Sequence, residues 1–489
     1  MIYAGFDIGT TGSKITIFNN LDKVDTIYQS YPSYRNASEH EIDANVIYET
    51  VLSLIKKATL KYSSLCAIGF TSFGESFVAL DKDDNILFPV MLYTDPRGIK
   101  EGQYIEEKIG KVRLAEITGQ LGQGMFSLPK VMYIKNNYPE IYQKIDKVLL
   151  IEDFIVYKLT GKRQIDYSLA SRTLGFDVFN KCWSKEIFDI AGIDSALFSN
   201  PVPTGTSAGY IKDELKSLFT LDGNLEIINI AHDQIANAVG ASIFDLESSV
   251  DGLGTCECNT ILFNENIDKF VLAKGGYGVV PYLGDNKYVC YAFLNTGGAL
   301  IEWVINNYFA SKKDDKGLFD ELNSHLKEEP TNVMFVPHLA GASTPINDPY
   351  AKAAIVNIDI GTTGYDIYQA ALESLSYEML YSLETLKKAG VKLNKIYASG
   401  GGAKNNSWLQ IKADIYGLPI YQLENKDAGT VGSAMIVGVA IGLFSDLKEA
   451  ASKMVKIKKA FYPNKDKTKM YRKVYRKYKK LYRLLKEVR

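Results

Sequence analysis

No stretch of about 18 consecutive apolar residues occurs in this chain, so no membrane-spanning helix and no membrane partner are expected. Net charge is nearly absent. The 56 Lys+Arg and 57 Asp+Glu leave a formal charge of -1, which removes the electrostatic case for nucleic acid as a partner of the whole chain. Cysteine is scarce: five residues, an odd number without a framework, which suits a reducing, cytoplasmic setting. Cys256 and Cys258 form a C-x-C pair. No second pair or His cluster supplies four ligands, so a zinc site is not expected. The opening residues MIYAGFDIGTTG lack a basic region and a long apolar region, so they read as a strand and not as a signal peptide. No Walker A motif is present, which excludes a P-loop enzyme.

What is present is ordinary globular material. The 489 residues, 46% hydrophobic and 23% charged, suffice for two domains with a large core. The one charge anomaly is the C-terminus, where twelve Lys/Arg face two acids between Lys465 and Arg489. Tyr471, Tyr475, Tyr478, Tyr482 and Leu485 recur there at helical spacing, so a helix is expected to pack this stripe inward and solvate its basic face.

Near the N-terminus, strands are expected over Ile2–Ile8, Lys14–Phe18 and Val24–Tyr28, with turns between them. A helix opens after Asp43, with Ile47, Val51, Leu54 and Ile55 on one face, and a buried strand follows over Leu65–Phe70. This order is mixed α/β. A shift of 245 residues superposes Ile8-Gly9-Thr10-Thr11 on Leu253-Gly254-Thr255-Cys256, and Phe18-Asn19 on Phe263-Asn264, without a gap. A repeat at the midpoint predicts an ancient duplication with a boundary near Phe244–Ser249. A second copy of DIGTTG at 359–364 precedes a helix and has no return strand, so it reads as a loop and N-cap.

The chemistry-bearing groups follow from these elements. A tight turn at Asp7-Ile8-Gly9-Thr10-Thr11-Gly12 points backbone N–H groups at one spot, an anion nest, with Thr hydroxyls and Lys14 adding donors and charge. Asp7 is placed to hold Mg²⁺ through water. Gly254-Thr255 offers a second nest, and two nests facing each other would clasp a polyphosphate. Gly400-Gly401-Gly402-Ala403-Lys404-Asn405, between a strand and a helix, allows close approach of a nucleoside, as does Thr296-Gly297-Gly298. Asp233, at a strand end, is either a proton acceptor or a helix N-cap. Phe73-Gly74-Glu75-Ser76 and Tyr93-Thr94-Asp95-Pro96-Arg97, flanking an expected hairpin, supply acceptors, donors and an aromatic wall for a hydroxyl-rich ligand; the alternative is a plain Asp95–Arg97 turn pair.

Together these motifs resemble, in order and over nearly the whole chain, the FGGY family of carbohydrate kinases. Asp7–Lys14 resembles its first phosphate motif, and Tyr93–Arg97 its W-x-D-x-R element with Tyr for Trp. Asp166-Tyr167-Ser168-Leu169-Ala170-Ser171, with Trp183-Ser184, resembles a middle stretch, and Ala231-His232-Asp233-Gln234 the catalytic-base motif. Gly254-Thr255 resembles the second phosphate motif, with Cys256 for the common Ser. Gly298–Trp303, Ala371–Ser374, Gly400–Trp408 and Val431–Ala434 complete the series.

The resemblance implies two ribonuclease-H-like domains, as in actin and the Hsp70 ATPase, flanking a cleft: 1–246 on the sugar side and 247–489 on the nucleotide side. It implies ATP with Mg²⁺. Asp233 takes the role of general base, and Asp7 (through water) with Asp233 that of metal ligands. Thr10, Thr11, Gly12, Lys14, Gly254, Thr255, Gly298, Gly401, Gly402, Ala403 and Asn405 fall at nucleotide positions. Gly74, Glu75, Tyr93, Asp95, Arg97, Met125, Asp233 and Gln234 fall at sugar positions. Glycerol kinases carry Arg where this chain has Gly74 and Tyr where it has Met125, which points away from glycerol. The Met-His-Gly of typical xylulokinases is also missing, so a ketose, pentulose or hexulose, is the implied substrate class, with a polyol as the alternative. The rival from another class is an actin- or Hsp70-like nucleotide switch, or a sugar-responsive ATP-binding protein without turnover. Homodimerisation is left open.

Overall fold

A computed structural model describes residues 1–425 and 427–487. The chain divides into two compact units. The first comprises Met1–Ser242, Val279–Tyr288 and Asp427–Val455; the second comprises Ile243–Gly278 and the stretches that begin at Val289 and Lys456. The return of Asp427–Val455 to the first unit is not visible as a composition shift.

In the first unit, β1 (Ile2–Ile8), β2 (Gly12–Asn19) and β3 (Asp22–Ser30) form an antiparallel meander. Helix α1 (Ala44–Lys61) follows, its N-terminus capped by the Asp43 side chain accepting from Asn45 N–H at 2.8 Å. Strand β4 (Leu65–Ser72) then pairs parallel to β1. Beyond it come α2 (Ile151–Thr160), β5 (Ser207–Tyr210), β6 (Glu226–His232) and α3 (Asp233–Gly240). The sheet order is β5-β6-β4-β1-β2-β3, with β6 parallel to β4. Three antiparallel strands continued by two parallel ones is the ribonuclease-H arrangement anticipated above. Ile47, Val51, Leu54 and Ile55 of α1 are fully buried in a core shared with Ile15, Ile17, Phe70, Phe154 and Ile155. Their 3–4 residue spacing is what makes this segment helical.

The helix Ala428–Ala440 crosses α3 at backbone contact. A Cβ on Gly240 would lie 1.8 Å from Ala428 O, and one on Gly432 would lie 1.8 Å from Ala236 O. The same helix presses on β1, where a Cβ on Gly5 would meet Ser433 Cβ at 2.8 Å. Three glycines therefore set how closely α3, which carries Asp233, sits against the sheet.

The second unit repeats the scheme. β7 (Ser248–Leu253) and β8 (Glu257–Asn264) form the hairpin expected from the 245-residue shift. Next in the chain come β9 (Lys287–Leu294), α4 (Gly298–Tyr308), α5 (Gly364–Lys388), β10 (Lys395–Ser399), α6 (Asn406–Tyr416), β11 (Ile420–Leu423) and β12 (Ile457–Phe461). Their sheet order is β9-β8-β7-β10-β11-β12. In its core the fully buried Lys412 donates to Glu257 Oε1 at 2.6 Å, Asp251 Oδ2 at 3.2 Å and Tyr416 Oη at 3.0 Å, tying α6 to both strands of the hairpin.

The second DIGTTG copy forms a turn and N-cap. Thr363 and Asp366 make a reciprocal capping box at the start of α5. The C-terminal helix spans Lys465–Lys486, with Val488 and Arg489 outside the described residues. Tyr471, Tyr475 and Tyr478 are buried around Tyr377 of α5, and Tyr478 Oη donates to Glu378 Oε1 at 2.7 Å. No helix among the described residues is long and apolar enough to cross a membrane.

Candidate active site

In the first unit, Gly9 N–H closes the β1–β2 turn on Gly12 O at 3.0 Å. Tyr31 Oη donates to Gly9 O at 2.5 Å, Tyr31 N–H to Thr11 O at 3.1 Å, and Tyr28 Oη to Thr11 O at 3.4 Å. The turn's carbonyls are thus held inward. Gly12 is favoured here, because a Cβ would lie 2.8 Å from the Gln29 backbone oxygen on the neighbouring strand. Thr11 is exposed, with Thr10 and Lys14 half-buried beside it.

Asp7 ends β1. Its carboxyl is recessed rather than sealed, and removal from water pushes its pKa up to about 6; Lys14 opposes the rise, and Asp233 and Asp427 add to it. Lys14 Nζ lies 3.7 Å from Asp7 Oδ2 and 2.5 Å from Asp427 Oδ2. Burial would lower the Lys14 pKa, but these two carboxylates outweigh it and hold the ammonium firmly charged.

Asp233 is the first residue of α3, and His232 takes the N-cap position, so the side chain of Asp233 is not the cap. The strand end that delivers it is held from two sides. Thr71 Oγ1 donates to Ala231 O at 2.5 Å, and His232 N–H donates to Ser168 Oγ at 2.9 Å. Ser168 is itself fixed by Asp166, whose carboxylate also accepts from Leu169 N–H and from Thr204 Oγ1. The Asp166–Ser171 stretch therefore acts as the bracket that aims β6. Burial first, and the Glu75 charge second, push the Asp233 carboxyl up to about 6, against hydrogen bonds from Gln234 and the charge of Arg172. His232 Nε2 lies 3.3 Å from Asp233 Oδ1, and burial lowers the imidazole to about 4, so it is neutral near pH 7.

Glu75 adopts a left-handed backbone, φ 64°, unusual for a residue with a Cβ. Its Oε1 accepts from Arg172 Nε at 2.5 Å and pairs with a terminal guanidinium nitrogen. A Cβ on Gly74 would lie 2.9 Å from Arg172 Cγ, so the bare backbone at 74 makes room for that side chain. Phe126 lies under the guanidinium at 5.3 Å, and Met125 is half-buried next to it in sequence.

The expected hairpin between the two sugar-side loops is reduced to a single antiparallel bridge, Leu80 with Ile86, around the turn that Asp81 N–H closes on Asn85 O at 3.1 Å. The longer pairings lie elsewhere: Phe77–Leu80 with Lys147–Leu150, and Val90–Met91 with His40–Ile42. Asp95 and Arg97 form the turn pair, with Arg97 Nε and Nη2 donating to Asp95 Oδ1 and Oδ2 at 2.8 and 2.5 Å. Arg97 also reaches Glu41 at 2.6 Å. Asp95 further accepts from His40 and Arg97 backbone N–H groups. Burial would raise its carboxyl, yet these bonds hold it below the usual range. Tyr93 is largely exposed. Lys130, which the sequence reading passed over, is fully buried with its Nζ donating to Leu92 O at 2.6 Å; burial lowers it to about 8.

In the second unit three expected loops converge on one turn. Gly297 N–H donates to Thr255 O and Gly298 N–H to Gly254 O, both at 2.8 Å, so the second hairpin turn abuts the start of α4. Gly400 has φ 89°, and a Cβ there would lie 2.7 Å from Leu253 O. Gly402 packs between Leu253 and Trp408. Asn405 caps α6, accepting from Trp408 N–H at 3.1 Å, and donates to Tyr368 Oη at 3.0 Å. Gly401 is exposed and Ala403 buried. This clustering of Gly-rich turns is what a nucleoside or phosphate needs for close backbone approach.

Hard oxygen donors suit Mg²⁺. Asp7 and Asp233 supply them, and among the described residues Asp233 Oδ1 is buried and makes no hydrogen bond, with His232 Nε2 3.3 Å away. Among the described residues no cluster of three or more His, Cys, Asp or Glu side chains that could hold a metal ion occurs.

Two successive family models match the chain: the N-terminal domain of the FGGY family of carbohydrate kinases over residues 2–240, and its C-terminal domain over 253–441. The chain belongs to that family. A xylulose kinase of Staphylococcus xylosus is 28% identical over 482 residues, covering 98% of this chain and 99% of the relative. A glycerol kinase of Saccharolobus islandicus is 28% identical over 472 residues, 94% of this chain and 91% of the relative. The crystal structure of a ligand-bound xylulose kinase from Lactobacillus acidophilus superposes with a TM-score of 0.91 at 23% identity, over 99% of this chain and 98% of that one. The fold is the two-domain, actin-like ATPase fold, and the protein is an ATP-dependent sugar kinase. The enzyme expected from the sequence stands, and the rival reading of a nucleotide switch without turnover gives way.

Proposed function

We propose that this FGGY kinase transfers the γ-phosphoryl group of ATP to a hydroxyl of a ketose, with Asp233 as the general base. The observation that carries the reading is the setting of Asp233: a carboxyl at a helix start, raised to about 6 by burial and by Glu75, beside a neutral His232. Such a group is ionised near pH 7 yet basic enough to take a proton late in a loose transition state. Gln234 and the His232 ring orient it. Glu75 accepts a hydroxyl of the sugar, with Met125, Phe126 and Tyr93 as apolar neighbours, and Asp95 with Arg97 stiffens the loop beneath. The Gly9–Gly12 turn and Lys14 bind phosphate oxygens. Gly254, Thr255, Gly298 and Gly401–Asn405 bind the nucleotide. Asp7, through water, and Asp233 would hold Mg²⁺, which when bound neutralises phosphate oxygens.

The relatives named for xylulose favour a pentulose; the relative named for glycerol keeps a polyol as the alternative. The test is ADP release measured with D-xylulose, L-fuculose, glycerol and no sugar. A ketose is expected to give the highest kcat/KM, and Asp233→Ala to lose turnover by about three orders of magnitude while still binding ATP. Highest activity on glycerol would move the acceptor to polyols. Turnover of Asp233→Ala within about tenfold of the parent would overturn the base assignment.

A further inference from the structure

Arg172 lies one residue past the Asp166–Ser171 motif and 97 positions from the acid it meets. Four observations set it apart. Its side chain is nearly sealed, at 8% exposure, and so is that of Glu75 at 6%. Two of its nitrogens converge on Glu75 Oε1. Its stem and its guanidinium are both packed by neighbours. Gly74 lies against its Cγ and Cβ, where an added Cβ would stand at 2.9 and 3.1 Å, and Phe126 lies under the guanidinium. Finally, Glu75 is held at φ 64°, and an unfavourable backbone in a sealed place is retained where a side chain must point one way.

We infer that Arg172 is the specificity-determining positioning residue of the acceptor site. It pins Glu75 so that the pair presents a carboxylate oxygen next to a paired cation, a neutral unit matched to hydroxyl groups of an uncharged sugar and not to a sugar acid. The inference rests on the proposed acceptor role of Glu75. Its physical basis is charge balance. A guanidinium already bonded to a carboxylate gives little extra attraction to a second carboxylate. The nearby Asp233, whose electrostatic environment includes both Glu75 and Arg172, repels an anionic ligand. A ketose or polyol brings no charge to repel and can donate to Glu75. The Ser127 hydroxyl bonded to Glu75 O at 2.8 Å anchors the backbone on the other side, so Arg172 has one freedom left to control, the direction of the Glu75 carboxylate.

The test is steady-state kinetics of the full-length enzyme with D-xylulose, glycerol and D-gluconate as acceptors, alongside thermal unfolding. The parent should use a neutral acceptor and show at least about tenfold lower kcat/KM on gluconate. Arg172→Met should raise KM for the neutral acceptor about tenfold or more, leaving KM for ATP within about twofold, and Arg172→Lys should restore part of the loss. Arg172→Met combined with Glu75→Gln should be no worse than the worse single variant, because both remove one interaction. Gly74→Ala removes no polar group but crowds the Arg172 stem, so it should raise the acceptor KM in the same direction, and it carries the test if Arg172→Met does not fold. The inference is overturned if Arg172→Met and Gly74→Ala lower only the melting temperature, or if gluconate is the parent's best acceptor. A parent that turns over none of the neutral acceptors defeats the proposed function itself, an outcome separate from normal parental activity with unchanged Arg172 variants.

Discussion

Lys14 Nζ stands 2.5 Å from Asp427 Oδ2, joining the first hairpin to a segment near the far end of the chain. The same ammonium is 3.7 Å from Asp7, whose carboxyl it lowers against burial. Lys14→Met removes the cation that Asp7 and Asp427 share. The Asp7 carboxyl should then rise further, and phosphate binding should lose its charge partner. The expected result is a loss of about 10–100-fold in kcat/KM for ATP, with KM for the sugar changed by less than about threefold. Lys14→Arg should fall between. Initial-rate kinetics with each substrate varied in turn checks both.

Asp233 links activity to pH with a definite sign. Its folded pKa is raised to about 6, so the base is protonated, and kcat/KM falls, as pH drops through that value. Stability runs the other way. A carboxyl whose folded pKa lies above its unfolded value stabilises the fold fully only below the unfolded value, about 4, and that contribution is lost as pH rises to about 6. Asp233→Asn abolishes the penalty of the buried charge. It should lose turnover by about three orders of magnitude while its melting temperature at pH 7.5 stays level or rises by about 1–3 °C. The gain is small because the Asp233 side chain remains 41% exposed. A melting temperature well below the parent's would place Asp233 in the structural frame instead.

The close crossing of α3 and the Ala428–Ala440 helix predicts steric sensitivity far from any ligand. Gly240→Ala and Gly432→Ala each place a methyl within 1.8 Å of a backbone carbonyl, which cannot move as a side-chain tip can. Each should destabilise by about 2–4 kcal/mol and reduce soluble yield. Gly254→Ala, whose Cβ meets nothing nearer than 3.5 Å, serves as the control and should keep the parent's stability. Urea unfolding of the three variants decides this.

These same glycines mark where sequence reasoning stopped. The hairpins were legible because Gly-Thr turns between alternating apolar strands repeat at a shift of 245, and the α1 face because Ile47, Val51, Leu54 and Ile55 share one period. Asp233 was legible as an acid at a strand end, although only the backbone decides that His232 takes the capping place. Gly432 was visible as part of a motif but not as the partner of Ala236, since nothing local announces a contact across nearly 200 residues. Arg172 was hidden for the same reason. Its meaning comes from Glu75 and Gly74, and an arginine after a short helix looks like any solvated cation. Asp95 and Arg97 were legible as a pair, but their mutual bonding, which leaves Asp95 with four internal donors, required the geometry.

Lys412 offers a test of how the second hairpin is held. Its ammonium is fully buried between Asp251 and Glu257, acids on adjacent strands that burial pushes to raised pKa values and that the lysine draws back down. Lys412→Met fills the same volume but leaves two buried carboxyls without a cation. Both should then resist ionisation more strongly, so their folded values climb further above the unfolded one. By the linkage sign, the variant should approach the parent at pH 5, where unfolded carboxyls begin to protonate as well, and fall progressively behind it towards pH 9. The expected deficit at pH 8 is about 3–5 kcal/mol, measured by urea unfolding. The hairpin turn Gly254-Thr255 follows directly from β7, so KM for ATP should rise alongside the loss of stability. A deficit that does not change between pH 5 and 9 would mean that Lys412 matters for packing on Trp408, 4.9 Å from its ammonium, and not for the charges of the two acids.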